Sequence, residues 1–99
     1  MKIFDLESMP SYPYEERDKN VFYKANKFKA RIIDLPAGGE MPTCEMKSFV
    51  IFQVINGAVS VSVNGEIAKL EKGQCLITEP ATLSMKTKDG VRITGIQIE

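Results

Sequence analysis

Residues 35–65 read LPAGGEMPTCEMKSFVIFQVINGAVSVSVNG, and the fold turns on them. Pro36 has no amide hydrogen for a ladder, and Gly38-Gly39 accepts backbone angles other residues avoid, so a corner is expected there. Residues 43–46 run extended. Residues 49–55 are apolar on both faces, with Phe49, Ile51 and Ile55 on one and Val50, Phe52 and Val54 on the other. Such a strand is covered on both sides, by a core on one and by a cavity or a second subunit on the other. Asn56-Gly57 and Asn64-Gly65 are tight-turn dipeptides, since both central residues of such a turn need positive φ. Between them Val59, Val61 and Val63 alternate with Ser60 and Ser62, the period of a half-buried strand.

Outward from this stretch the same grammar continues. Strands are expected at residues 21–25, 28–35, 67–70, 75–78, 82–87 and 91–99. Turns are expected at Asn26-Lys27, Lys72-Gly73 and Asp89-Gly90. Residues 1–6 alternate weakly enough for one more short strand. Residues 1–20 form an expected N-terminal arm, broken by Pro10 and Pro13 and ending in a charged run from Glu15. Its bland reading is a surface loop. The alternative is that Tyr12 and Tyr14 cover an apolar patch on a second subunit, where aromatic side chains are enriched. No window repeats every 3.6 residues, so no helix is expected. The chain therefore reads as one all-β domain over residues 1–99, an arm at 1–20 and a barrel at 21–99.

Composition narrows the function. Lysine plus arginine and aspartate plus glutamate each number 13 among 99 residues. With no basic stripe, counterion release has little to act on, and no nucleic-acid partner is expected. No apolar run approaches the ~20 residues of a membrane span, and residues 1–10 lack a basic segment followed by an apolar one. Cys44 and Cys75 make no disulfide framework, so the expected location is the cytoplasm. There is no histidine. That removes the commonest metal ligand and the usual neutral-pH base, and excludes Ser-His and Cys-His nucleophile pairs.

The spacing resembles a small single-domain cupin, the double-stranded β-helix or jelly-roll barrel of two small antiparallel sheets (the RmlC-like group). The family's first motif, G-x5-H-x-H-x3-E-x6-G, can be anchored on Gly38. Cys44 and Met46 then stand at the two histidines, Val50 at the glutamate and Gly57 at the closing glycine. The second motif resembles residues 70–80, with Gln74 in place of the usual acidic residue and Pro80 one position late; its histidine would fall near Ser84. The scaffold text is present and the four ligands are not.

The resemblance implies that Cys44, Met46, Val50 and Ser84 line the interior, joined by Phe52, Met85 and Gln53 in an expected ligand pocket. No metal or other cofactor is expected, because Mn(II) and Fe(II) prefer carboxylate and imidazole. Cys44 and Met46 share a side at i and i+2, which leaves a soft-metal site as a weak alternative, with Met41 or Met85 as a third sulfur; inert packing of both is the favoured reading. A nucleophilic Cys44 lacks an activating neighbour. Glu45 should face outward. Gln53, polar on an apolar face, needs a partner on a neighbouring strand or a ligand. Arg31 is expected in a surface ion pair, with bidentate capture of a carboxylate ligand as the alternative. The functional expectation is a small-molecule-binding homodimer. The alternatives are a metal-independent isomerase or lyase using Glu or Tyr, and a structural dimer with a packed interior.

Overall fold

A computed structural model describes residues 1–99. Eight strands follow one short 3-10 helix at Tyr14–Asn20. They are β1 (Val21–Lys24), β2 (Phe28–Leu35), β3 (Glu40–Met46), β4 (Phe49–Val63), β5 (Glu66–Glu71), β6 (Cys75–Thr78), β7 (Ala81–Lys86) and β8 (Val91–Ile98). All pair antiparallel, in the order β1-β2-β8-β4-β7-β3, with β5 and β6 also on β4. The first half of β4 pairs β8 and β6, and the second half pairs β7 and β5. One 15-residue strand thus belongs to both sheets and curls them around a common interior.

Asn56-Gly57 is therefore not a hairpin turn, as expected, but lies inside β4, paired with Arg92 and Val91 just after a bulge at Ile55, where the β8 register slips between Val54 and Asn56. The reason is tertiary. Gly57 has φ +84°, and a Cβ there would lie 2.3 Å from the Gly90 carbonyl oxygen. The close crossing of two backbones uses the glycine to redirect the strand rather than reverse it. Asn64-Gly65 is the expected tight turn, with φ of 51° and 87°.

The core is the inward half of each alternation. Ile33, Leu35, Phe52, Val54, Val59, Val61, Leu83, Met85, Val91 and Ile93 pack into one buried cluster with four others. Phe49–Ile55 keeps its two apolar faces, but the outer one is open in part: Phe49 is 47% exposed, and Ile77 beside it on β6 is 65% exposed.

Two expectations fail at the N-terminus. Residues 1–6 form no strand, and residues 14–20 form a 3-10 helix where none was expected. The arm lies on its own domain. Arg92 Nε donates to the Leu6 carbonyl at 2.8 Å, Nη2 to the Met9 carbonyl, and Nη1 to Asp34 Oδ2 at 2.8 Å. Ser11 Oγ also donates to Asp34 Oδ2. Buried Asn20 donates to the Tyr12 carbonyl and accepts from its amide. Phe4 packs on Phe22 with ring centroids 4.8 Å apart. Ala30, Ile32 and Thr94, on the same outer face as Arg92 and Asp34, are buried.

Candidate functional site

The interior changes character along its length. On β2 the inward side chains run Leu35, Ile33, Arg31; on β8, Val91, Ile93, Gly95, Gln97; on β4, Val54, Phe52, Val50. One end is packed solid with aliphatic side chains, and the other holds a cavity of about 220 Å³. The cavity floor is Ile33, Val50 and Phe52; Met41, Cys44 and Met46 of β3 make one wall; Arg31, Gly95 and Gln97 make the other. Tyr14, Arg17 and Asp18 of the 3-10 helix stand at the mouth.

β3 reaches this wall through a local irregularity. Met41 pairs with Met85 and Cys44 with Leu83, so three residues of β3 span two of β7. The bulge at Pro42-Thr43 puts Met41, Cys44 and Met46 on the same cavity, although a regular strand would point residues 41 and 44 oppositely. Cys44 Sγ lies 3.6 Å from Met46 Sδ, a weak thiol-to-thioether hydrogen bond. Both cysteines are free.

Of the residues expected in a pocket, Cys44, Met46, Val50 and Phe52 line this cavity. Gln53 does not: it is exposed on the opposite face of β4, beside Thr94 and Cys75. Met85 is fully buried in the packed end. Ser84 is out of phase, because Ala81, Leu83 and Met85 are the inward residues of β7 while Ser84 stands opposite Ser62. The motif spacing thus located the strand and missed the side. Glu45 is exposed, as expected. Arg31 is not in a surface ion pair; the ion pairs are Lys19–Glu16, Lys69–Glu71 and Arg92–Asp34. Arg17, Asp18 and Gln97 were not singled out in the sequence, and Tyr14 was considered only as a cover for a second subunit, since nothing local joins a charged arm to a strand interior.

Burial holds the Tyr14 phenol above its ordinary 10.0; Cys44 also raises it, while Arg17 and Arg31 oppose the shift. Tyr14 thus stays a neutral hydroxyl donor across the physiological range. The Arg17 guanidinium stacks over the Tyr14 ring at 4.8 Å and donates to the Tyr14 carbonyl.

The cavity donors do not fit a hard or borderline divalent ion. No three His, Cys, Asp or Glu side chains converge anywhere, and the wall of β3 offers thiol and thioether sulfur, which suits only a soft ion such as Cu(I).

Two antiparallel sheets sharing a long bent strand around an interior site define a cupin fold. The Schizosaccharomyces pombe Cnp3 cupin domain matches with a TM-score of 0.71 and 24% identity, over 79% of this chain and 60% of that one. A cupin superfamily protein from Desulfitobacterium hafniense matches with a TM-score of 0.74 and 9% identity, over 79% and 72%. Salicylate 1,2-dioxygenase from Pseudoaminobacter salicylatoxidans, in a structure with gentisate, matches with a TM-score of 0.68 and 28% identity, over 72% of this chain and 20% of the enzyme. This chain therefore spans about three fifths of the Cnp3 structure and a fifth of the dioxygenase. No family model matches the chain, and no curated protein matches it in sequence.

Proposed function

We propose that this chain is a small-molecule-binding protein that holds an organic ligand in the open end of its barrel, without the divalent-metal chemistry of metal-dependent cupins. The cavity is the observation behind this reading. It combines an apolar floor with a few polar groups at the rim, the usual composition of a ligand site. At 220 Å³ it falls below the ~300–1,000 Å³ of drug-sized sites, which favours a ligand of one ring or a short chain. The Pseudoaminobacter enzyme, by its name and its gentisate complex, handles ligands of one ring. A metal-independent isomerase or lyase finds Tyr14 at the mouth, but Glu40, Glu45 and Glu79 are exposed and line no part of the cavity.

The test is a thermal-shift screen of the untagged protein against fragment-sized acids, amides, amines and sugars. Stabilisation by one class, lost when Phe52 or Val50 is changed, supports the reading. No stabilisation by any class refutes it. Elemental analysis of the same preparation should give far less than one equivalent of iron, manganese or nickel.

The same reading takes the protein as a cytoplasmic homodimer. Support comes from the outer face, where Phe49 pairs with Ile98, and Ile51 with Ile77, beside the unpaired edge of β6. An exposed, uncharged apolar cluster on a small domain favours a second copy of the same surface. No helix is long and apolar enough to cross a membrane.

A further inference from the structure

Of the guanidinium groups in the domain, one stands apart. Arg92 is spent on three acceptors, and Arg17 donates to the Tyr14 carbonyl. Arg31 lines the cavity, is half-buried and makes neither a hydrogen bond nor an ion pair. Asp18, at the same mouth, is not paired with it. A guanidinium carries five donors in a planar fork; those of Arg31 are not sealed from solvent and are taken by no protein acceptor, so they are free to receive one from a ligand. The surroundings also leave space for an acceptor. Arg31 stands opposite Gly95 in the ladder, and Gly95 stands opposite Phe52. A Cβ on Gly95 would lie 3.4 Å from both Phe52 Cε1 and Ile33 Cδ1. Glycine at this position keeps open the volume that a side chain would fill between the cation and the aromatic floor.

We propose that the cavity takes an organic monocarboxylate, held bidentately by Arg31, with its apolar body against Ile33, Val50, Phe52 and Met46. The inference rests on the small-molecule reading and narrows it to one chemical class. Arg31 and Arg17 against Asp18 leave the lining with one net positive charge, which matches a single carboxylate. A second carboxylate would meet either the aliphatic end or Asp18. Inorganic phosphate could use the cation but would leave the apolar floor uncovered. Tyr14, neutral and at the mouth, adds a hydroxyl donor.

Calorimetric titration of the untagged protein with benzoate, benzamide, hexanoate, hexanamide and phosphate tests this. The expected result is one site per chain, with each acid binding about tenfold or more tighter than its amide. Arg31→Met should erase that preference. Arg31→Lys, a point charge without the fork, should keep part of it. Gly95→Val should weaken acids and amides together by filling the cavity, and serves if the Arg31 variants do not fold. Equal affinity for acid and amide in the wild type overturns the carboxylate and leaves the small-molecule reading standing. Phosphate binding as tightly as benzoate also overturns it, in favour of a plain anion site. An acid preference that survives Arg31→Met overturns Arg31 as its anchor. Binding of none of the five compounds overturns the proposal, and a blank fragment screen in addition overturns the reading beneath it.

Discussion

Replacing Arg92 by methionine should release the N-terminal arm. The substitution keeps most of the aliphatic stem and removes three hydrogen bonds, two to the Leu6 and Met9 carbonyls and one to Asp34. Arg92 has a side chain only 13% exposed, so its bonds to the carbonyls form away from water. Bonds of a charged donor to neutral acceptors contribute about 1.5 kcal/mol each at the lower end of their range. The Asp34 side chain is 41% exposed, and solvent screening reduces its pair with Arg92 to under about 1 kcal/mol. The expected loss is about 3–4 kcal/mol, a large part of the ~5–15 kcal/mol that stabilises a small domain. For a domain of this size that corresponds to a fall in Tm of about 15 °C or more. Circular dichroism melting measures the fall, and amide hydrogen exchange across residues 1–12 locates it. The control is Lys19→Met, which breaks a solvent-exposed i,i+3 pair with Glu16 and should cost under about 0.5 kcal/mol. An Arg92→Met protein that melts within about 4 °C of wild type, with the arm's exchange unchanged, would refute the staple.

Three further outcomes follow from particular contacts. Gly57→Ala should cost about 3 kcal/mol or more, because positive φ and a 2.3 Å approach to the Gly90 carbonyl act together. Gly65→Ala, with similar φ and nothing within 4 Å, should cost only about 1 kcal/mol; equal losses in denaturant titrations would contradict the close crossing. Burial raises the Tyr14 pKa, so folding favours the neutral phenol. That contribution is whole below the ordinary value of 10.0 and fades as pH climbs through the higher folded value. An absorbance titration should show a high-pH tyrosinate step that Tyr14→Phe removes, and a trace unchanged by the substitution would count against a desolvated Tyr14. Sedimentation at micromolar concentration should give a dimer for the wild type and a monomer for Ile77→Lys, which alters an exposed position; a wild-type monomer would end the dimer proposal.

Much of the architecture was legible in residue order. β2 and β6 have the bounds their alternation predicts, and β1, β5, β7 and β8 differ only at their ends. Val59 and Val61 are inward, as period-2 patterning requires. The spacing from Gly38 to Gly57 led to a cupin resemblance that the fold sustains. Cys44, Met46, Val50 and Phe52 reach one cavity because a strand's parity carries over several residues once its inward face is known.

Where sequence reading failed, the deciding contact came from far along the chain. Asn56-Gly57 has the composition of a turn, yet it runs on within one continuous strand, paired with β8 beside the bulge at Ile55 and in close approach to Gly90. Met41 faces the cavity only because β3 slips by one residue against β7, and Ser84 faces away because Leu83 and Met85 pack inward. Arg31 looked like a surface cation, since its neighbours in sequence do not show that the 3-10 helix will stand over the same cavity. Arg92 and the Leu6 carbonyl are 86 residues apart, and no local pattern couples them. Sequence determined the strands and their parity, because steric and hydrophobic periodicity act over a few residues. Register, bulges, the stapled arm and the isolated cation were decided by tertiary structure, because they depend on which backbones meet after the chain has closed on itself.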